Sequence, residues 1–264
     1  MRPLILLTND DGIYAPGILS LSRALKKADL GDLIIVAPAS EKSGIGAAIT
    51  WDRPMHIQKI DWDGGIEAWS VDGTPADCVK IGERVILKKK PDLIVAGINA
   101  GSNAGRNVLH SGTIGAVIEG GMRSIAGIAF SCENGKNPNY HVAEKYIGEV
   151  VRYQLENPLP AGSILNVNFP HAAQDVVRGF RMTRQGRGRW AENPYIHLES
   201  ESGASYWLGG KPEEIDEQYP CDISYLRDGY MTAVPLNVNE LTNHEELEKG
   251  HKTFESFFLA KNLL

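Results

Sequence analysis

At 264 residues, with 42% hydrophobic and 23% charged side chains, the chain is long enough to bury one sizeable core and too apolar to be disordered. Its net charge of −6 argues against wrapping polymeric nucleic acid, which needs a basic face to displace counterions. A small phosphorylated ligand stays open, because local charge decides that.

Leu4–Leu7 reads as a short buried strand that runs directly into Thr8-Asn9-Asp10-Asp11-Gly12. A helix with proline in its first turn follows from Pro16 to about Lys27. Leu33–Ala37 is a second apolar strand, and Ser40–Gly46 a glycine- and serine-rich loop. Ala47–Thr50, Met55–Ile60 and Ile66–Val71 alternate weakly and predict an antiparallel extension. Thr74-Pro75 opens a helix to about Leu87, with Thr74 as cap and Asp77 near the positive end of the dipole. Leu93–Ala96 is a third buried strand, followed by the polar turn Gly97–Asn103. A helix from about Thr113 to Arg123 and a strand Ile125–Phe130 close the regular half.

Continuous apolar strands separated by helices give an α/β fold, a Rossmann-like doubly wound and mostly parallel sheet. In that strand order the first strand lies beside the one beginning at Leu93, so Asp10, Asp11 and Asn99 share a crevice at the carboxyl ends of the strands.

The second half is less regular. A helix from about Tyr140 to Leu155 and a strand Ile164–Phe169 precede a basic segment holding Arg181, Arg184, Arg187 and Arg189. From Ala191 to Tyr225 the chain is polar and turn-rich; its length suits a hairpin arm that crosses a subunit interface, with Trp207 and Tyr219 as packing anchors. A strand at Gly229–Pro235 and a helix from about His251 end the chain. The expected organisation is a single domain, residues 1–175 forming the catalytic core and 176–264 an irregular C-terminal part. Cys78, Cys132 and Cys221 are too few and too scattered for a disulfide framework or a zinc site; Cys78 and Cys132 read as core residues. The apolar run after Arg2 is too short for a signal peptide, and no stretch nears the roughly 20 apolar residues of a membrane span. No membrane association and a cytoplasmic location are therefore expected.

Asp10 and Asp11 carry like charges side by side, which costs free energy unless a cation lies between them. With the Asn99 amide oxygen and the Ser43 hydroxyl they offer hard oxygen ligands, suited to magnesium, manganese or calcium. Ser43-Gly44-Ile45-Gly46 and Ser111-Gly112-Thr113 combine hydroxyls with backbone N–H groups, and the second opens a helix, where anions are held well. Of the seven histidines, His110 alone falls near the crevice. No dinucleotide glycine fingerprint, P-loop or esterase elbow is present. A divalent ion held by two acids beside helix-end anion sites is equipment for phosphate ester hydrolysis. Metal-activated water is expected, with Asp10 and Asp11 catalytic and an acid also able to act as general base. The adjacency of the two acids disfavours the alternative, direct attack of an aspartate.

Thr8–Gly12, Ala15-Pro16-Gly17, Ala37-Pro38, Ser43-Gly44, Gly73–Val79, Gly97–Gly101 and Ser111–Thr113, in that order, resemble the survival protein SurE family of metal-dependent nucleotidases. Leu165–Pro170, Thr183-Arg184-Gln185 and Gly229-Tyr230 agree more loosely. The resemblance implies a phosphatase for nucleoside 5′- and 3′-monophosphates, acting also on short polyphosphate, with one divalent cation per subunit. It implies metal ligation by Asp10, Asp11, Ser43 and Asn99, with Asn9, Asn103, Ser111, Gly112 and Thr113 lining the phosphate pocket. Gly44, in the Ser43–Gly46 anion loop, is expected to bind substrate there too, and Arg184, from the basic segment, is read as steering phosphate or stacking on a base. The resemblance also implies a homodimer or homotetramer built through an exchanged C-terminal arm. Ser102 and Ala39 depart from the pattern, which usually has proline and an acid there. A nucleotide-binding metal sensor without turnover would use the same pocket.

Overall fold

The computed structural model describes residues 2–133, 138–171, 177–200, 202–213 and 215–260. Strands β1 (Leu4–Thr8) and β2 (Asp32–Pro38) flank helix α1 (Pro16–Ala28); β3 (Ile57–Ile60) and β4 (Glu67–Val71) follow. Next come α2 (Pro75–Ile81), β5 (Leu93–Ala100), α3 (Gly112–Gly121), β6 (Ala126–Cys132), α4 (Tyr140–Glu156), β7 (Ser163–Phe169) and β8 (Gly179–Met182). The chain ends with β9 (Arg189–Ser200), β10 (Gly203–Glu213), α5 (Asp222–Arg227), β11 (Tyr230–Asn237) and α6 (His244–Leu259).

One sheet runs β3-β4-β2-β1-β5-β6-β7-β11-β8, and β1 pairs in parallel with both β2 and β5. The adjacency of the first strand and the strand from Leu93 is as the sequence predicts. Alternation along β1 sends Ile5 and Leu7 into the core under α1 and α4, and Leu6 into the core under α2 and α3. Cys78 and Cys132 lie in those cores, Cys221 is buried as well, and all three are free thiols.

Several elements differ from expectation. The antiparallel extension is confined to β3 on β4, since β4 itself runs parallel to β2. Ala47–Thr50 forms no strand, because its backbone is bonded to the start of α2. Thr74 Oγ1 donates to the Ala48 carbonyl at 2.7 Å, and the Thr50 amide donates to the Asp77 carboxylate at 3.1 Å. The same Asp77 closes a capping box with Thr74, so its role is structural. Beyond Ile81 the helix widens into a π turn, Gly82–Leu87, where a side chain on Gly82 would stand 2.5 Å from Leu6 Cδ1.

Strands β8 and β11, from the C-terminal part, complete the main sheet. Ala191–Tyr225 is more ordered than its composition predicts: it holds most of the β9–β10 hairpin and the start of α5. Trp207 and Tyr219 are exposed rather than packing anchors, because the hairpin pairs with itself and Trp207 meets the His197 ring edge-on. Helix α6 starts about two turns before His251, at an Asn243 cap whose side chain accepts from the Glu246 amide. Among the described residues no helix is long and apolar enough to cross a membrane.

Candidate functional site

The carboxyl ends of β1, β2 and β5 and the start of α3 converge through close backbone approaches. The Lys42 amide donates to the Asp10 carbonyl at 2.7 Å, and the Ile13 amide to the Pro38 carbonyl at 2.8 Å, which ties the loops after β1 and β2 together. A Cβ on Gly17 would stand 2.0 Å from the Ile98 carbonyl oxygen, so α1 starts hard against β5. A Cβ on Gly115 would stand 2.1 Å from the Gly46 carbonyl oxygen, and the Gly46 amide donates to the His110 carbonyl at 2.9 Å. The Ser40–Gly46 loop therefore lies on the first turns of α3.

Asp10 is 3% exposed and sits at the head of α3. Thr113 Oγ1 donates to Asp10 Oδ1. Burial pushes the Asp10 carboxyl up, while the Thr113 hydroxyl and the Gly112 and Thr113 amides hold it back. Part of the anion-binding capacity expected of Ser111-Gly112-Thr113 is thus spent on Asp10 itself. Ser111 caps the helix, accepting from the Ile114 amide at 3.2 Å.

Asp11 is half-buried and accepts from the Ala100 amide at 3.3 Å, which joins it to the end of β5 that carries Asn99. The strand continues through Ala100, where the sequence predicts a turn from Gly97, because Asn99 and Ala100 still pair with β6. Asn99 donates its amide N–H to the Gly101 carbonyl at 2.8 Å, leaving its Oδ1 as the atom available for ligation. Burial first, then the charges of Asp10 and Glu41, push the Asp11 carboxyl up to about 6. Among the described residues, the largest influences on the two carboxyls are burial, hydrogen bonds and neighbouring carboxylate charge. Asn9 donates to the Gly12 carbonyl at 2.8 Å and keeps a buried Oδ1 without a hydrogen-bond partner among the described residues.

Three predicted residues point elsewhere. Ser43 is exposed and donates to Glu41 at 2.9 Å, a contact between loop neighbours, rather than to the aspartates. Asn103 is buried in a polar network, donating to Ser131 Oγ at 2.8 Å and from its backbone to Asn168 Oδ1 at 2.7 Å. Arg184 pairs with Glu217 at 2.9 Å and donates to the Tyr219 carbonyl, so its guanidinium is anchored on the segment before α5. Arg181 stacks on the Tyr230 ring at 4.2 Å and Arg189 pairs with Glu213 at 2.9 Å, so these two cations also serve locally. Gly44, at φ +75°, is exposed with open space beside it.

Two residues escaped the sequence reading. Glu41 brings a third carboxylate toward Asp11 two positions after Ala39, and its place ahead of Ser43 was the available signal. Tyr140, at the start of α4, is near enough to Asp11 for that charge, after burial, to raise its hydroxyl; no local pattern announces this contact.

The donor set fits a hard divalent cation. Two adjacent carboxylates and the neutral oxygens of Asn99 and Asn9 supply hard donors. A cation here would rest on the aspartate pair and these amide oxygens, since among the described residues no cluster of three His, Cys, Asp or Glu side chains could hold a metal ion. One consequence concerns stability. Asp11 has a folded pKa above its ordinary 3.8, so the metal-free folded state is penalised progressively as pH rises from about 4 to about 6, and fully beyond that. Asp11→Asn is expected to stabilise the chelated protein at pH 8 by about 1 kcal/mol, discounted for part exposure, with the gain fading toward pH 4.5. Denaturant unfolding at the two pH values checks this, and a variant less stable than the parent at pH 8 would refute it.

Comparison with known proteins gives concordant results. The family model for "Survival protein SurE" matches residues 5–192. A "5′-nucleotidase SurE" from Protochlamydia amoebophila is 49% identical over 258 residues, covering 97% of this chain and 98% of that protein. Another, from Christiangramia forsetii, is 39% identical, covering 92% and 94%. The crystal structure of a SurE protein from Aquifex aeolicus superposes with a TM-score of 0.81 at 35% identity, covering 95% of this chain and 99% of that one.

Proposed function

The chain belongs to the survival protein SurE family, and from that premise we propose that it hydrolyses nucleoside monophosphates to nucleoside and inorganic phosphate with a divalent cation. One observation carries the reading: the adjacent carboxylates of Asp10 and Asp11 meet the head of α3 and the strand end bearing Asn99. Asp10, Asp11 and Asn99 would hold magnesium, manganese or calcium, one ion per subunit, and Ser43 would join them by leaving Glu41. When bound, the ion offsets phosphoryl charge and acidifies water.

The chain's own residues do the rest. Thr113 and the first turn of α3 fix Asp10, so the ligand side of the site is preorganised. Asp11, open to the crevice, takes the proton from the attacking water as its oxygen bonds to phosphorus. The ester P–O bond then breaks and the leaving sugar oxygen takes up a proton. Ser111, Gly112, Thr113 and the Gly44 loop line the space around the phosphate, and Asn9 lines it too, its amide N–H holding the Gly12 carbonyl in the turn after β1. Asn103 acts on the pocket from behind, through Ser131, and Arg184 braces the segment before α5. The open Gly44 side leaves room for 3′-monophosphates and short polyphosphate as well.

We also read the hairpin β9–β10 and helix α6 as the arm of a homodimer or homotetramer. Tyr195, Leu198, Leu208 and Phe254 are exposed on them, and α6 buries no residue in its own chain. A single-chain mass by light scattering would overturn this. A cytoplasmic enzyme with no membrane or polymeric nucleic-acid partner completes the reading.

The test is phosphate release from nucleoside 5′- and 3′-monophosphates and tripolyphosphate with magnesium or manganese. Turnover of the 5′-monophosphates is expected to lead. Tight binding of the nucleotide without phosphate release would mean a sensor instead.

A further inference from the structure

Two large apolar side chains stand in the open at the mouth of the crevice. Ile45 is 37% exposed and Leu109 is 70% exposed. Their backbones are joined, since the Gly46 amide donates to the His110 carbonyl at 2.9 Å and a Cβ on Gly46 would lie 3.1 Å from the Leu109 carbonyl oxygen. Ile45 also borders the carboxylate site. A single methyl group on Gly112 would touch Ile45 Cγ2 at 3.1 Å and Asp10 Oδ2 at 3.0 Å. Ile45 thus borders the phosphate end of the crevice, and the Leu109 backbone lies against the same loop.

Exposed aliphatic side chains contribute nothing to phosphate binding. They do suit the flat, weakly hydrated face of a nucleobase, which gains by leaving water with them. Ile45 and Leu109 carry no hydrogen-bonding groups, so such a surface would accept different bases without reading their edges.

We propose that Ile45 and Leu109 form the face against which the base of a nucleoside monophosphate lies, and that they separate nucleotides from other phosphate monoesters. The proposal rests on the phosphatase reading above and names what that site recognises beyond phosphate.

The test compares an adenosine 5′-monophosphate substrate with ribose 5-phosphate, which has the same ester and sugar but no base. In the parent, turnover of either substrate establishes the phosphatase reading, and turnover of neither defeats both that reading and this proposal. In the double variant Ile45→Asn with Leu109→Asn, KM for the nucleotide is expected to rise about tenfold with kcat little changed. Because both positions are exposed, the fold is retained. The kcat/KM for ribose 5-phosphate is expected to stay within about twofold, so the selectivity ratio collapses toward the base-free value. Equal losses on both substrates, an unchanged ratio, or a changed subunit number with unchanged selectivity would each overturn the proposal.

Discussion

Asp10→Asn is expected to lower kcat for nucleoside monophosphates by about a thousandfold, some 4 kcal/mol of transition-state stabilisation, without unfolding the protein. The substitution keeps an oxygen where Thr113 donates and changes no volume beside Gly112, but it turns an NH2 toward the amide donors at the head of α3, a cost of about 1–2 kcal/mol. Burial already pushes the Asp10 carboxyl toward its neutral form, so a neutral isostere is tolerated. What it removes is half of the formal charge of the aspartate pair. Circular dichroism and a steady-state phosphate assay together check the expectation. Activity within tenfold of the parent would assign the chemistry to other residues.

Asp222→Ala is expected to destabilise the protein by about 4 kcal/mol, the largest effect on stability foreseen for a single polar side chain here. The Asp222 carboxylate is fully buried and accepts from the amides of Gly105 at 3.0 Å, Gly186 at 2.7 Å and Ile223 at 2.8 Å. It joins the segment after β5 to the basic segment and to the start of α5, and so supports the turn that carries Asn103. Burial raises its carboxyl despite those three bonds, which is why the net loss falls below the sum of three charged hydrogen bonds. Asp222→Asn keeps the oxygen shared by Gly186 and Ile223 and turns a donor toward Gly105, so about 1–2 kcal/mol is expected. Denaturant midpoints of both variants at fixed metal concentration provide the check. Equal losses, or an alanine variant within about 1 kcal/mol of the parent, would contradict this reading of the tie.

The features that depend on runs of similar residues were legible in the sequence. Leu4–Leu7, Leu33–Ala37 and Leu93–Ala96 are buried on both faces, so their continuous apolar character marks them as central parallel strands. Strand order then follows from connection rules, and with it the meeting of Asp11 with the end of β5 beyond Ala96. Features set by tertiary packing were not legible. β8 is an edge strand whose Phe180, Arg181 and Met182 are exposed, so it carries no buried alternation to detect. The hairpin pairs only with itself and exposes its aromatics, so it carries no buried alternation, and composition alone reads that as irregular chain. Ser43 and Glu41 show the same limit at the site: spacing brings both to the loop, but a hydroxyl chooses its acceptor by local geometry. Tyr140 reaches Asp11 through the packing of α4, which no motif near either residue records.

The most direct test of a cation-dependent aspartate crevice is phosphate release from a nucleoside 5′-monophosphate by chelated protein, before and after stoichiometric manganese or magnesium is returned. The expected result is loss of nearly all turnover on chelation and recovery as one ion per chain is added, with no recovery in Asp10→Asn. Turnover that persists at the parent rate in the chelated protein would contradict the account.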